Sequence, residues 1–216
     1  LHLSVHSFPT RRSSDLWRLR PVDDRLAAAL RQRLDLPEVM ARVLASRGAD
    51  LTDPDAFLNP RLKTLLPDPS TLKDMAKGAD RVADAVRRGE TVALFGDYDV
   101  DGATATAVLG RFLRGVGGKV RVYVPDRVTE GYGPNAEALL ELGRAGASLI
   151  VTLDCGVTAL EPLAAAAAAG IDVVVVDHHQ PRERLPHAVA VINPNRLDET
   201  GDLAHLAAVG VAFLLC

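Results

Sequence analysis

The spacing of hydrophobic and polar residues divides the chain into two parts. Up to residue 90 the apolar residues recur every three or four positions, as in LAAALRQRL and PEVMARVLASRG, and this spacing predicts amphipathic helices. A longer helix is predicted from about Ser70 to Arg88, with Gly89 as its stop. We therefore assign residues 17–90 to a helical amino-terminal segment.

From Thr91 the pattern changes to short apolar runs separated by helical segments. The runs are TVALFG, KVRVYV, SLIVTLD, IDVVVVD and AVAVIN. Each is about 5 to 7 residues long and mostly apolar on both faces, as in parallel strands that are covered on both sides. Helical segments at 103–116, 135–145 and 157–169 separate the first four runs and are long enough to be crossovers. Residues 91–216 are predicted to form an α/β domain with a doubly wound, mainly parallel sheet.

The composition is that of a soluble globular protein. Hydrophobic residues make up 48% and charged residues 25%, and no run reaches the ~18 apolar residues of a membrane helix. Cys155 and Cys216 form no metal-type pair and favour a reducing compartment, so we predict a cytoplasmic protein. Because the net charge is -3, contact with nucleic acid would depend on local patches or on metal ions.

Both ends of the sequence differ from the rest. Residues 1–16, LHLSVHSFPTRRSSDL, lack an initiator Met, apolar periodicity and a signal-peptide core. Two interpretations stay open, a translated adapter sequence or a disordered native tail, and we exclude these residues from the fold. The final VGVAFLLC stops inside an apolar run without a cap, so we expect a truncated reading frame.

Acidic and imidazole side chains follow three of the predicted strands. They are Asp97, Asp99 and Asp101 in GDYDVDG, Asp154 in TLDCG, and Asp177, His178 and His179 in VDHH. Right-handed crossovers bring the carboxyl ends of parallel strands to one edge of the sheet. Carboxylates crowded there would raise one another's pKa unless a cation compensated them. Carboxylate and imidazole ligands without thiolate suit Mn²⁺ or Mg²⁺, so we predict a metal site.

Each cluster also has a plainer interpretation. Asp154 alone could cap the following helix, paired histidines are often ordinary surface or core residues, and three acids in one turn could be solvated. The order of all three clusters along the strand ends favours the metal site. A dinucleotide site is excluded, because it needs a GxGxxG turn where this chain has three aspartates that would repel phosphate.

The motifs GDYDVDG, TLDCG and VDHH resemble the first three signature motifs of the DHH phosphoesterase superfamily. The segments LLPDPSTLKDMAKGADRV, VPDRVTEGYGPN, INPN and LAAVGVAFLL narrow the resemblance to the RecJ-type exonucleases. The resemblance implies a 5′-to-3′ exonuclease that hydrolyses phosphodiester bonds of single-stranded DNA in repair and recombination. It also implies a site for two Mn²⁺ or Mg²⁺ ions.

The same resemblance gives the candidate residues their roles. The implied metal ligands are Asp99, Asp101, Asp154 and His178. Asp154 is our choice for the carboxylate that bridges the two metals, and His179 is placed near the metals and the scissile phosphate. Asp97 and Asp177 are expected to orient the ligands. Arg127 matches a position that contacts a substrate phosphate, and the alternative is an ordinary surface arginine.

The chain departs from the family pattern in several places. Phe95 stands where pyrophosphatase relatives and many RecJ proteins carry His, and Ala208 stands where Gly is usual. The fourth motif, which supplies a further Asp ligand, and the carboxyl-terminal domains would follow LAAVGVAFLL. We therefore expect the DHH domain at 91–216 to be truncated before that motif, and the chain to have little activity alone.

Two other functions stay open. The chain could be another DHH phosphoesterase that acts on short oligonucleotides, cyclic dinucleotides or pyrophosphate, or a non-catalytic scaffold derived from RecJ. The length of native-like sequence before GDYDVDG favours RecJ over the first. The retained ligand positions count against the second.

Overall fold

The computed structural model describes residues 21–216, and the interpretation of residues 1–16 lies outside this range. The described chain forms two compact units, one up to Leu66 and the other from Pro67 to Cys216. The first unit contains α1 (Asp24–Leu34), α2 (Glu38–Ser46), α3 (Pro54–Leu58) and α4 (Leu62–Leu65). Its small core is centred on Leu30 and Leu44. No helix of the described residues is long and apolar enough to span a membrane.

The second unit contains a five-stranded sheet. Its elements are α5 (Met75–Arg87), β1 (Thr91–Gly96), α6 (Val100–Gly115), β2 (Lys119–Tyr123), α7 (Ala136–Arg144), β3 (Ala147–Leu153), α8 (Leu160–Ala168), β4 (Asp172–Val176), β5 (Ala190–Ile192) and α9 (Ala208–Leu215). All strand pairs are parallel, in the order β2-β1-β3-β4-β5. The predicted α/β fold with a mainly parallel sheet is confirmed, and each predicted strand overlaps an observed one.

The strands separate two hydrophobic cores. Leu94, Val151 and Val174 face a core shared with α5, α6 and α9. The next residues along the strands, such as Phe95 and Val175, face a second core shared with α7 and α8. Burying an aliphatic or aromatic side chain contributes about 1.5 to 3 kcal/mol. Because both faces of the sheet are covered at β1, β3 and β4, these strands are apolar at successive positions, whereas the edge strand β2 is mostly exposed and carries Lys119 and Arg121. Helices on both faces make the sheet doubly wound.

The helix α5 belongs to the unit that contains the sheet. Its buried face includes Met75 and Val82, and the helix packs against β1 and β5. Gly78 allows this approach, because a Cβ there would lie 2.7 Å from Ile192 Cδ1. From the sequence pattern alone, α5 is part of the helical segment 17–90. The division into two compact units falls between Leu66 and Pro67. The apolar face of α5 is buried on the sheet.

Three acidic residues occupy equivalent positions at the ends of neighbouring strands. The Asp97 N–H donates to Leu153 O at 3.0 Å, the Asp154 N–H to Val176 O at 3.0 Å, and the Asp177 N–H to Ile192 O at 3.1 Å. These bonds extend the backbone ladder of the sheet by one residue on each strand. In this strand order the direction of winding reverses between β1 and β3, where such folds form their ligand crevice. Asp97 and Asp154 therefore flank the crevice.

Gly102, the last residue of GDYDVDG, sets the approach of α6 to Asp97. A Cβ at Gly102 would lie 2.5 Å from Asp97 O and 2.7 Å from both Asp97 N and Asp97 Cβ. Since backbone atoms cannot move aside, we predict that Gly102→Ala lowers the free energy of unfolding by about 1 to 3 kcal/mol. Urea denaturation measures the change. The matched control is Gly115→Ala in the same helix, where a Cβ meets nothing within 4 Å. Equal effects in both variants would contradict a packing role for Gly102.

Candidate metal centre

The loops after β1, β3 and β4 bring acidic and imidazole side chains together at the carboxyl edge of the sheet. Their potential ligand atoms form two groups, and within each group the atoms lie within 4.8 Å of one another. The first group is Asp97, Asp99 and Asp154, and the second is Asp154, His178 and His179. Both groups include Asp154. Two ligand groups that share one carboxylate can hold a pair of neighbouring cations.

The Asp154 carboxylate is buried without a hydrogen-bond donor on one of its oxygens. The residue is 2% exposed, and its backbone is left-handed with a φ of 63°. Oδ1 has no hydrogen-bond partner; His178 Nε2 lies 3.2 Å away but not in hydrogen-bonding geometry. Burial, together with the nearby charges of Asp101 and Asp99, raises the pKa of Asp154 to about 8. A buried carboxylate of this kind is costly unless a cation lies beside it.

Asp97 and Asp99 lie in contrasting environments in the same turn. Asp97 is buried, its Oδ1 has no hydrogen-bond partner, and burial raises its pKa. Asp99 is the N-cap of α6, where its Oδ1 accepts the N–H groups of Asp101 and Gly102 at 2.9 and 3.0 Å. The Gly102 hydrogen bond is the main cause that lowers the pKa of Asp99. The turn therefore places one readily ionised carboxylate beside one that resists ionisation.

The carboxylate of Asp101 lies at the amino terminus of α9. Its Oδ2 accepts the Ala208 N–H at 2.8 Å and its Oδ1 accepts the Val209 N–H at 2.9 Å. These N–H groups have no partner within the helix, so Asp101 caps it. Asp101 Oδ2 also lies 3.5 Å from His178 Nε2. Asp101 is the one predicted ligand outside the two groups around Asp154.

Asp177 fixes the turn that carries the two histidines. Its Oδ1 accepts the N–H groups of His178 and His179 at 2.7 and 3.1 Å, and its Oδ2 accepts the Val157 N–H at 2.9 Å. Burial acts to raise the pKa of Asp177, but these bonds and the His179 ring outweigh burial and lower it. His179 Nδ1 lies 2.7 Å from Asp177 Oδ1. Because an ionised carboxylate only accepts, Nδ1 carries a proton, and this bond raises the pKa of His179.

Three further side chains contact the centre, and none of them was predicted from the sequence. The Tyr132 hydroxyl donates to Asp154 O at 3.1 Å. Asn193 Nδ2 donates to His179 O at 2.9 Å, and Asn195 Nδ2 donates to His178 O at 2.6 Å. The asparagines belong to INPN, which follows β5. INPN lies at the end of β5, on the same edge of the sheet as the motifs after β1, β3 and β4. This position could have identified the two asparagines from the sequence.

Arg127 lies on a structured loop after β2. The Asp126 N–H donates to Glu130 Oε1 at 2.7 Å, and Asp126 Oδ1 accepts N–H groups of the following turn. The exposed Arg127 guanidinium lies 5.2 Å from the centroid of the Tyr98 ring. Within the described chain it has no carboxylate within 4.0 Å. Because Tyr98 directly precedes Asp99, the loop holds an unpaired positive charge close to the centre.

Phe95 contributes packing to the fold and no ligand to the centre. Its side chain is fully buried, and its ring centroid lies 5.2 Å from that of Tyr123. Ala208, the other departure from the family pattern, keeps the backbone N–H that Asp101 accepts. Any residue except proline supplies this donor.

Comparison with known proteins identifies the family. The profile of the DHH family, N-terminal domain, matches residues 91–216. The chain belongs to the DHH family. The resemblance to the RecJ-type exonucleases is also confirmed, because similar proteins along most of the chain carry that name.

Two curated relatives show the extent of the match. The single-stranded-DNA-specific exonuclease RecJ of Bacillus subtilis is 35% identical over 199 residues, which cover 92% of this chain and 25% of the relative. RecJ of Escherichia coli is 37% identical over 182 residues, which cover 84% of this chain and 31% of the relative. The chain therefore spans about a quarter to a third of the length of these relatives.

Two solved structures are similar in fold. RecJ from Thermus thermophilus in complex with Mn²⁺ has a TM-score of 0.72 and 29% identity, covering 91% of this chain and 27% of that one. Exonuclease RecJ bound to manganese has a TM-score of 0.61 and 35% identity, covering 67% of this chain and 36% of that one.

The pKa of Asp154 makes stability depend on pH in the metal-free protein. Its pKa rises from an ordinary 3.8 to about 8 on folding, so the folded state binds the proton more tightly than the unfolded state. Stability should therefore fall as pH rises between these two values, with each unit of pKa shift contributing about 1.4 kcal/mol. Asp154→Asn cannot ionise, so its stability advantage over the wild type should be larger at pH 8 than at pH 5. Urea denaturation with a chelator present measures this, and an equal advantage at both pH values would contradict it.

Proposed function

We propose that this chain is the metal-binding part of a RecJ-type exonuclease, which hydrolyses phosphodiester bonds of single-stranded DNA with 5′-to-3′ polarity. The single observation that carries the proposal is the pair of ligand groups that share Asp154. The relatives named as single-stranded-DNA-specific exonucleases support the substrate class. Because the chain spans only part of those relatives, its activity, its substrate, its role in DNA repair and recombination, and its cytoplasmic location all belong to the proposal.

The residues of the centre fit a divalent cation such as Mn²⁺ or Mg²⁺. Asp154 Oδ1 is buried without a hydrogen-bond donor, and a cation would satisfy it. Carboxylate and imidazole donors without thiolate are the set that these ions accept. The proposed metal ligands are Asp99, Asp101, Asp154 and His178, with Asp154 shared. A carboxylate oxygen has two lone pairs, so Asp101 can cap α9 and still bind a cation.

Side chains of this chain that are not metal ligands have the remaining roles. When bound, the cations would polarise the scissile phosphate and an attacking water and would stabilise the leaving oxygen. Asp177 holds the Nδ1–H of His179, which leaves Nε2 as the nitrogen that can face a phosphate oxygen. Arg127, supported by the Tyr98 ring, supplies a guanidinium for a substrate phosphate. Asp97 and Asp177 orient the ligand-bearing turns.

The test places the second compact unit in a longer relative. Residues 67–216 replace the corresponding segment of Thermus thermophilus RecJ, and the chimera is assayed with Mn²⁺ on single strands labelled at either end. We expect the 5′ label to be released first as mononucleotide and a blunt duplex to be digested at least about tenfold more slowly. Asp154→Asn should reduce the rate on the order of 10²-fold or more, because an electrostatic stabiliser is lost. Asp80→Asn, on the exposed face of α5, is the matched control and should leave the rate unchanged.

Other outcomes would contradict this proposal in distinct ways. Equal rates on duplex and single strand, or digestion from the 3′ end alone, would exclude the RecJ-type activity. Hydrolysis confined to substrates of a few nucleotides would favour a short-oligonucleotide phosphoesterase. Binding of single strands without hydrolysis, in a chimera that holds Mn²⁺, would favour a non-catalytic scaffold.

A further inference from the structure

The backbone of the histidine turn is held by side chains on both sides. Asp177 accepts the N–H groups of His178 and His179. Asn195 donates to the carbonyl of His178 and Asn193 to the carbonyl of His179. All four backbone polar groups of the two histidines therefore have a side-chain partner. Rotation of either peptide plane would break at least one of these bonds.

The two asparagines are themselves firmly anchored. Asn193 is fully buried, and its Oδ1 accepts the Asn195 N–H at 2.7 Å. The next residue, Arg196, donates through Nη1 to Val191 O in β5 and to Asp74 Oδ2 just before α5, both at 2.8 Å. The turn at 193–196 is thus tied to the sheet and to a packed helix. The turn can therefore hold the groups that it contacts in a fixed position.

The histidine turn needs such external support more than the other loops of the centre do. Asp99 caps α6, and Asp101 lies within that helix. Residues 177–189 instead connect β4 to β5 without a helix. His178 and His179 therefore have no helix of their own to fix them.

We propose that Asn193 and Asn195 are positioning residues that hold the His178–His179 turn in its binding orientation, with His178 Nε2 facing the carboxylates of Asp101 and Asp154. The distances from His178 Nε2 are 3.5 Å to Asp101 Oδ2 and 3.2 Å to Asp154 Oδ1. The proposal rests on the proposed function in one respect, namely that His178 is a metal ligand. The orientation of the rings is independent of that assumption.

The test uses Asn193→Asp and Asn195→Asp in the 216-residue chain. Each change keeps the shape of the side chain and its acceptor oxygen, but it replaces the amide donor by an oxygen that repels the histidine carbonyl. Asn193→Asp also keeps the acceptor for the Asn195 N–H, so the turn itself retains its bond. The matched control is Gln180→Glu, the same chemical change next to His179. The exposed Gln180 side chain makes no hydrogen bond with any residue that the structure describes.

Two measurements separate positioning from general stability. In the metal-free protein, NMR should show contacts between the His178 and His179 rings, whose centroids are 4.7 Å apart, and between the His179 and Tyr132 rings at 5.8 Å. We expect both Asn→Asp variants to lose these contacts, and the control to keep them. Calorimetric titration with Mn²⁺ should give binding about 10- to 100-fold weaker in the two variants and unchanged in the control.

The outcomes distinguish this proposal from the proposed function. If the wild-type chain does not bind Mn²⁺, the proposed metal site is wrong. The ring contacts still test whether Asn193 and Asn195 position the histidines. Unchanged ring contacts and Mn²⁺ affinity in the variants would overturn the positioning role, even if their melting temperatures fell. If the variant of the buried Asn193 does not fold, both measurements are made on the variant of the partly exposed Asn195.

Discussion

The centre depends on carboxylates that are buried at the end of a parallel sheet while some of their oxygens lack a hydrogen-bond donor. Asp97 and Asp154 each have a buried oxygen with no partner. Asp154 also has a left-handed backbone, a conformation that costs on the order of 1 to 3 kcal/mol for a residue other than glycine. A strained backbone of this kind persists only when the surrounding contacts hold it in place. Here the enforcing contacts are the backbone ladder and the Tyr132 hydroxyl on the Asp154 carbonyl.

The surrounding elements also supply partial positive charge to this acidic edge. Asp99 caps the amino terminus of α6, and Asp101 caps that of α9. Helix amino termini favour nearby negative charge, so two of the acids are stabilised where they stand. Asp154 Oδ1 accepts no such bond, and the pKa of Asp154 is raised. The edge therefore combines Asp99, whose ionised form is stabilised, with the buried Asp154, which a cation or a proton must neutralise.

Much of this arrangement could be predicted from the sequence because it follows from local patterns. Five apolar runs specified the strands, and polar motifs directly after them specified which side chains meet at the edge. The contacts of Asp101 with Ala208 and Val209 could not be predicted, because they join residues more than a hundred positions apart. The role of Tyr132 likewise depends on how its loop folds back over the edge, and no local periodicity encodes that.

The packing partner of α5 was not predictable for a related reason. The apolar face of α5 shows only that the helix packs against something, and the pattern of its own residues does not identify the partner. In the structure that partner is the sheet, through Met75 and Val82. Gly78 was the one local sign of a close approach, since a Cβ there would lie 2.7 Å from Ile192.

If Asp154 is the shared carboxylate of a metal centre, as we propose, a bound cation must lie beside it. The most direct measurement is anomalous diffraction at the manganese edge from crystals of this chain soaked in Mn²⁺. We expect anomalous density beside the Asp154 carboxylate, within coordination distance of Asp154 and of His178. Mn²⁺ found only at other positions, with the Asp154 carboxylate free of any ion, would contradict it.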